Sequence, residues 1–91
     1  MDKKWIVDVI RDVISNDKEL YSSIYGKQPM PYGKQPIPDD FEETILAISS
    51  LDYIDLLIKV EEVLGLEFAE KCMVKSKLKI GELVELIINN V

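Results

Sequence analysis

The chain has 91 residues, of which 47% are hydrophobic, and this is enough for one domain with one modest core. Its 11 basic and 17 acidic residues give a net charge of -6, which repels nucleic-acid phosphates and anionic lipid surfaces, so we expect neither as a partner. No apolar run approaches the roughly 18 residues that span a bilayer, and the N-terminal residues lack the apolar stretch of a signal peptide. A cytoplasmic location is therefore expected.

Side chains that commonly carry catalysis or bind metals are scarce in this sequence. It contains no histidine, and its single cysteine, Cys72, cannot form an internal disulfide. Because no base partners Cys72, we interpret it as a small apolar filler rather than a nucleophile. We expect no enzymatic activity, no catalytic residue and no metal site.

The first element in chain order is an amphipathic helix. Its apolar residues recur with helical spacing in two adjacent rows: Trp5, Val9 and Val13, with Ile6, Ile10 and Ile14 beside them. This pattern predicts a helix over about 3–15, with Asp2 as its N-cap.

Residues 25–38 contain a tandem repeat, YGKQPMP followed by YGKQPIP. Proline removes backbone donors and restricts the preceding residue, so the repeat predicts an exposed loop with polyproline character rather than a helix or a central strand. We favour a duplication tolerated in a surface loop, because lengthening such a loop costs little entropy. A binding role for the two tyrosines and the Pro-x-Pro units stays open.

A second amphipathic helix is predicted to begin at Ser50 and to end at Gly65. Ser49 and Asp52 have the spacing of a capping box, and Leu66 follows the glycine as the apolar residue of a Schellman cap. The predicted apolar stripe comprises Leu51, Ile54, Leu57, Val60 and Leu64. The opposite, polar side comprises Asp52, Asp55, Lys59 and Glu62.

The remaining sequence predicts a short helix or turn from Phe68 to about Val74 and a last amphipathic helix from Ile80 towards the C-terminus. The fold class is therefore all-α, a four-helix bundle with three main helices, one short helix and a long first loop. Residues 1–91 are expected to form a single domain.

The hydroxyl of Ser50 lies in the first turn of the predicted second helix. Unpaired amides and the positive end of the helix dipole favour an attached anion there by about 0.3–1 kcal/mol. On these physical grounds alone, however, Ser49 and Ser50 are more simply interpreted as capping residues.

The segment 50–65, SLDYIDLLIKVEEVLG, resembles the phosphopantetheine attachment region of acyl carrier proteins, that is, the Asp-Ser-Leu motif and the helix after it. Aligned on Ser50, the match needs no gap, and a looser resemblance extends to the first helix, Phe41 and the last helix. The resemblance implies an acyl-carrier-like bundle in which Ser50 receives a covalent 4'-phosphopantetheine arm from coenzyme A. A separate phosphopantetheinyl transferase, the holo-carrier synthase, would perform the transfer.

The same resemblance implies how the carrier meets its partners. Its acidic recognition positions fall on Asp55, Glu61 and Glu62, with Leu51 beside the attachment serine and Asp52 adding to the acidic face. These residues would meet basic patches on acyl-loading and condensing enzymes of fatty acid, polyketide or related biosynthesis. Association would then be steered by charge and weakened by salt, and the carrier itself would be a monomer.

The sequence departs from the family pattern just before the attachment serine. Ser49 stands where the family usually has aspartate, and Ala47 replaces a common glycine. Ser49 is a rival attachment site, but only the Ser50 register aligns the following helix, since a one-residue shift rotates it by about 100°. Two alternatives stay open: a peptidyl or D-alanyl carrier, and a carrier-like helical interaction module without the arm.

Overall fold

The structure, a computed structural model, describes residues 2–73 and 77–91 and confirms the all-α class. It contains four α-helices: α1 Lys3–Asn16, α2 Lys18–Tyr25, α3 Ser50–Leu64 and α4 Ile80–Asn89. Two short 3-10 helices lie between them, Phe41–Glu43 and Ala69–Cys72. The described ranges contain no strand beyond a single bridge between Ile45 and Lys79.

Helix α1 begins where the sequence predicts. The Asp2 carboxylate accepts a hydrogen bond from the backbone N–H of Lys4 at 3.0 Å, which confirms the N-cap. Ile6, Ile10 and Ile14 are completely buried, whereas Trp5 remains nearly half exposed. The whole isoleucine row therefore lies in the core, together with Val9 of the neighbouring row.

Helix α2 was not predicted, and it occupies the start of the expected long first loop. Asp17 caps it by accepting from the N–H of Leu20 at 3.1 Å, and Gly26 ends it in the left-handed conformation, with φ of 64°. Leu20 and Tyr21 bury its inner face. These caps and apolar residues are visible in the sequence, but an eight-residue helix needs tertiary packing to be stable, so they are a weak signal.

The segment from Phe68 folds as the 3-10 helix Ala69–Cys72, which agrees with the predicted short helix or turn between the second main helix and the last one. Helix α2 is present in addition to this predicted short element. Val74, where the prediction ended, lies outside the described residues.

Helix α3 has the predicted bounds, but its buried face differs from the predicted stripe. Gly65 ends it with φ of 70°, and the N–H groups of Gly65 and Leu66 both reach the carbonyl of Glu61. Leu51 is 79% exposed and Ile54 is only half-buried. The prediction that Leu51 and Ile54 lie in the core was therefore wrong. The buried residues of the helix are Tyr53, Leu56, Leu57, Val60 and Leu64.

Helix α3 is apolar on more than one side, which explains this error. Residues 53, 56, 57, 60 and 64 share a face by helical spacing, as do 51, 54 and 58. Helix α1 packs against α3 and α4, while the 3-10 helix Ala69–Cys72 also contacts α3. These contacts decide which of the two apolar faces becomes core.

The repeat folds as a loop without helix or strand between residues 27 and 38, and most of its side chains are exposed. Gln35 is an exception, at 2% exposure. Its backbone N–H donates to the carbonyl of Ser15, and the Ser15 hydroxyl donates to the carbonyl of Gln35, both at 2.8 Å. The second copy of the repeat is therefore anchored to the end of α1.

Candidate functional site

Ser50 is the first residue of α3, and its side chain is exposed. The preceding residue, Ser49, is the N-cap: its backbone is extended, and its hydroxyl accepts from the N–H of Asp52 at 3.2 Å. Because Ser49 performs the capping, the helix does not need the Ser50 hydroxyl for that purpose. The two adjacent serines are therefore structurally distinct.

The predicted capping box is only half formed. The carboxylate of Asp52 turns towards α2 rather than back to Ser49, and it accepts a hydrogen bond from the hydroxyl of Ser23 at 3.0 Å. This contact joins the first turn of α3 to the helix that the sequence did not predict. Asp52 is half-buried as a result.

Asp55 takes part in an ion-pair network around Lys59. The Lys59 ammonium lies 3.0 Å from the carboxylate of Asp55 and also pairs with Asp17, the residue between α1 and α2. Hydrogen bonds to these two carboxylates raise the pKa of Lys59. Partial burial by itself would raise the pKa of the Asp17 carboxyl. The hydrogen bonds that this carboxylate accepts from Lys59 and from backbone N–H groups outweigh burial and lower its pKa.

Glu61 holds the segment that follows α3. One of its carboxylate oxygens accepts from the N–H groups of Phe68 and Ala69, each at 2.8 Å. Such charge-assisted bonds are stronger than neutral ones, so Glu61 positions the start of the 3-10 helix Ala69–Cys72. Among the predicted recognition residues, Glu62 and Leu51 are exposed, whereas Asp52, Asp55 and Glu61 are half-buried and bonded to groups of the chain itself.

An open groove of about 670 Å³ lies between α3 and the segment 67–73. Its apolar lining comprises Ile54, Ile58, Phe68, Ala69 and Met73. Ile54 and Ile58 follow Ser50 at intervals of four residues, so they lie on the same side of the helix as the Ser50 hydroxyl. The sequence interpretation missed this groove because it assigned Ile54 to the core and did not assign Ile58.

Tyr53 and Cys72 meet on the buried side of α3. The Tyr53 hydroxyl donates to the carbonyl of Cys72 at 2.7 Å, and burial raises the pKa of Tyr53 to about 12. Burial also raises the pKa of the Cys72 thiol, which disfavours the nucleophilic thiolate. This geometry agrees with the interpretation of Cys72 as an apolar filler.

The network around Lys59 predicts a pH-dependent contribution to stability. A carboxyl whose pKa is lower in the folded state contributes stability above its unfolded pKa, about 3.9, and loses it as the pH falls through the folded pKa. We therefore expect Lys59→Met to lower the free energy of unfolding most at neutral pH and progressively less below about pH 4. Urea unfolding at several pH values measures this difference. A difference that grew on acidification would contradict the pairing with Asp17.

Comparisons of the chain with protein-family models, curated proteins and solved structures found no match. In the part of the chain that the structure describes, no helix is both long and apolar enough to cross a membrane. Within those same ranges, no group of three or more acidic or cysteine side chains is arranged to hold a metal ion.

Proposed function

We propose that this chain is an acyl carrier protein that bears a 4'-phosphopantetheine arm on Ser50 and shuttles acyl thioesters between biosynthetic enzymes. The observation that carries the proposal is the exposed Ser50 hydroxyl in the first turn of α3, with capping performed by its neighbour. A modifying enzyme can reach this hydroxyl without unfolding the helix. The resemblance of residues 50–65 to the carrier attachment region supports the same assignment.

The surroundings of Ser50 suit a phosphodiester. The positive end of the α3 dipole stabilises an anion at the first turn, so the phosphate would lie in a favourable field. The thiol at the far end of the arm would hold the cargo as a thioester. The apolar groove that begins on the same side of α3 favours an acyl cargo over the amino acid of a peptidyl or D-alanyl carrier.

Ser49 is a poorer attachment site, because its hydroxyl already accepts a hydrogen bond from the N–H of Asp52. Modification there would disturb an N-cap that is worth about 1 kcal/mol. Ser50 carries no such cost. The geometry thus supports the attachment register indicated by the sequence.

Coexpression with a promiscuous phosphopantetheinyl transferase tests the proposal. Intact-mass measurement should show a gain of one phosphopantetheine group, and Ser50→Ala should abolish that gain. The matched variant Ser49→Ala should still be modified while losing about 1 kcal/mol of stability. No gain in the wild-type chain, with a transferase shown to modify a known carrier, would instead support an interaction module without the arm.

A further inference from the structure

We infer that the unloaded phosphopantetheine arm on Ser50 rests in a polar cleft beside the start of α3, which we call the α2 cleft. The cleft has a volume of about 510 Å³ and lies between α2, the first copy of the repeat and the first turn of α3. Its lining comprises Lys18, Glu19, Ser22, Ser23, Pro29 and Asp52. The inference rests on the proposed function, because it concerns where the proposed arm lies between enzymes.

The lining of the α2 cleft matches the chemistry of the arm. A phosphopantetheine arm carries a hydroxyl group and amide groups, which need hydrogen-bond partners when they leave water. The Lys18 ammonium donates to the carbonyl of Pro31 at 2.6 Å and has further hydrogens to donate. One carboxylate oxygen of Asp52 accepts from Ser23, and the other can accept from an amide N–H of the arm. Pro29 supplies an apolar surface for the dimethyl carbon of the arm.

Ser50 and the α2 cleft both lie at the N-terminal end of α3. Asp52 lines the cleft from the same helical turn as Ser50, although the two side chains lie on different sides of the helix, since each residue rotates it by about 100°. The Cα–Cβ bonds of a helix tilt towards its N-terminus, so an arm on the first residue leaves α3 at this end and can turn towards α2. Covalent attachment gives the arm a high effective concentration at the cleft, so weak bonds suffice to hold it there.

The repeat fixes the wall of the α2 cleft that Pro29 forms. Gln35 of the second copy accepts from the N–H of Met30 at 2.6 Å and donates to its carbonyl at 3.0 Å. The next carbonyl, that of Pro31, accepts from Lys18 of α2. The residues that follow Pro29 are thus bonded to α2 and to the second copy. The cleft is therefore formed before the arm enters it, and binding requires little further ordering of the chain.

The groove on the other side of α3 is less suitable for the unloaded arm. Five apolar side chains line that groove, whereas Pro29 is the one apolar residue in the described lining of the α2 cleft. An apolar wall offers the amides of the arm no hydrogen-bond partner, so their burial against it costs free energy. The groove therefore suits an acyl chain, and the α2 cleft suits the polar arm that has no cargo.

Nuclear magnetic resonance of the isotope-labelled protein, without and with the unloaded arm, tests the inference. The amide signals of residues 18–23 and of Met30 should shift on modification, and the methyl protons of the arm should show nuclear Overhauser effects to Pro29. The signals of residues 49–52 are not used, because attachment itself alters them. Ser22→Leu fills the cleft and should abolish both effects, while intact mass still shows modification of Ser50.

The matched control is Gln28→Leu, which introduces the same side chain at an exposed position of the first copy, outside the described lining of the cleft. It should retain the shifts at residues 18–23 and the contacts with Pro29. Ser23 lines the cleft and is exposed, so Ser23→Leu should act like Ser22→Leu even if the latter perturbs the packing of α2.

Two other outcomes have separate meanings. If intact mass shows the arm on Ser50, but the shifts are confined to residues 49–52 or the arm contacts Ile54 and Ile58 instead, the resting place in the α2 cleft is wrong and the carrier assignment stands. If the wild-type chain gains no arm from a competent transferase, the proposed function on which the inference rests is removed.

Discussion

Leu57→Ala should lower the free energy of unfolding by about 2–5 kcal/mol, the range for a leucine truncated in a packed core. Leu57 is completely buried on α3, in the cluster that joins this helix to α1 and α4. Truncation removes apolar contacts and leaves a cavity that neighbouring helices fill only in part. Because a domain of this kind is stabilised by only about 5–15 kcal/mol in total, the variant should be close to unfolding at moderate urea concentrations.

The matched control is Leu51→Ala, which makes the same chemical change six residues earlier on the same helix. Leu51 is 79% exposed, so its truncation should alter stability by less than about 0.5 kcal/mol. Urea unfolding followed by circular dichroism measures both variants. Equal losses in the two variants would mean that the described buried face of α3 is wrong.

Gln35→Ala should lower the free energy of unfolding by about 1 kcal/mol, because it removes hydrogen bonds to the backbone of Met30. The Gln35 side chain accepts from the N–H of Met30 at 2.6 Å and donates to the carbonyl of the same residue at 3.0 Å. Truncation removes the hydrogen-bond partners of both the N–H and the carbonyl of Met30. Water can replace some of these hydrogen bonds, because Met30 is partly exposed.

The repeat supplies its own control for this prediction. Gln28 occupies the same place in the first YGKQP copy, but its side chain is exposed, so Gln28→Ala should change stability by less than about 0.5 kcal/mol. Hydrogen exchange adds a local measurement. The Met30 amide should exchange faster in Gln35→Ala, whereas its exchange rate should be unchanged in Gln28→Ala. A larger loss for Gln28 than for Gln35 would contradict the observed anchoring of the second copy.

Features with local causes were predictable from the sequence. The N-cap at Asp2 and the glycine end of α3 depend on side chains and backbone angles within a few residues, so both were identified correctly. Ser50 was singled out as the candidate site from its position in the first turn and from the resemblance of the segment that follows. The structure adds that Ser49 performs the capping, which separates the two serines.

Features that depend on distant contacts were predicted less well. Helix α2 is only eight residues long and is stabilised by packing Leu20 and Tyr21 into the core. Its presence supplies Ser23 to Asp52, and its N-cap Asp17 pairs with Lys59. The contacts of Asp52 with Ser23 and of Lys59 with Asp17 therefore could not be predicted from the sequence of α3 alone.

The sequence by itself determined the helical class, the start and end of α3 and the placement of a serine in its first turn, because capping and helical periodicity act over a few residues. Only the tertiary structure decided which apolar face of α3 is buried and which copy of YGKQP is anchored. In each case the sequence offers two residues of the same type in similar local surroundings: Leu51 or Leu57 for the buried face, and Gln28 or Gln35 for the anchored copy. Contacts with α1, far away in the sequence, favour one member of each pair.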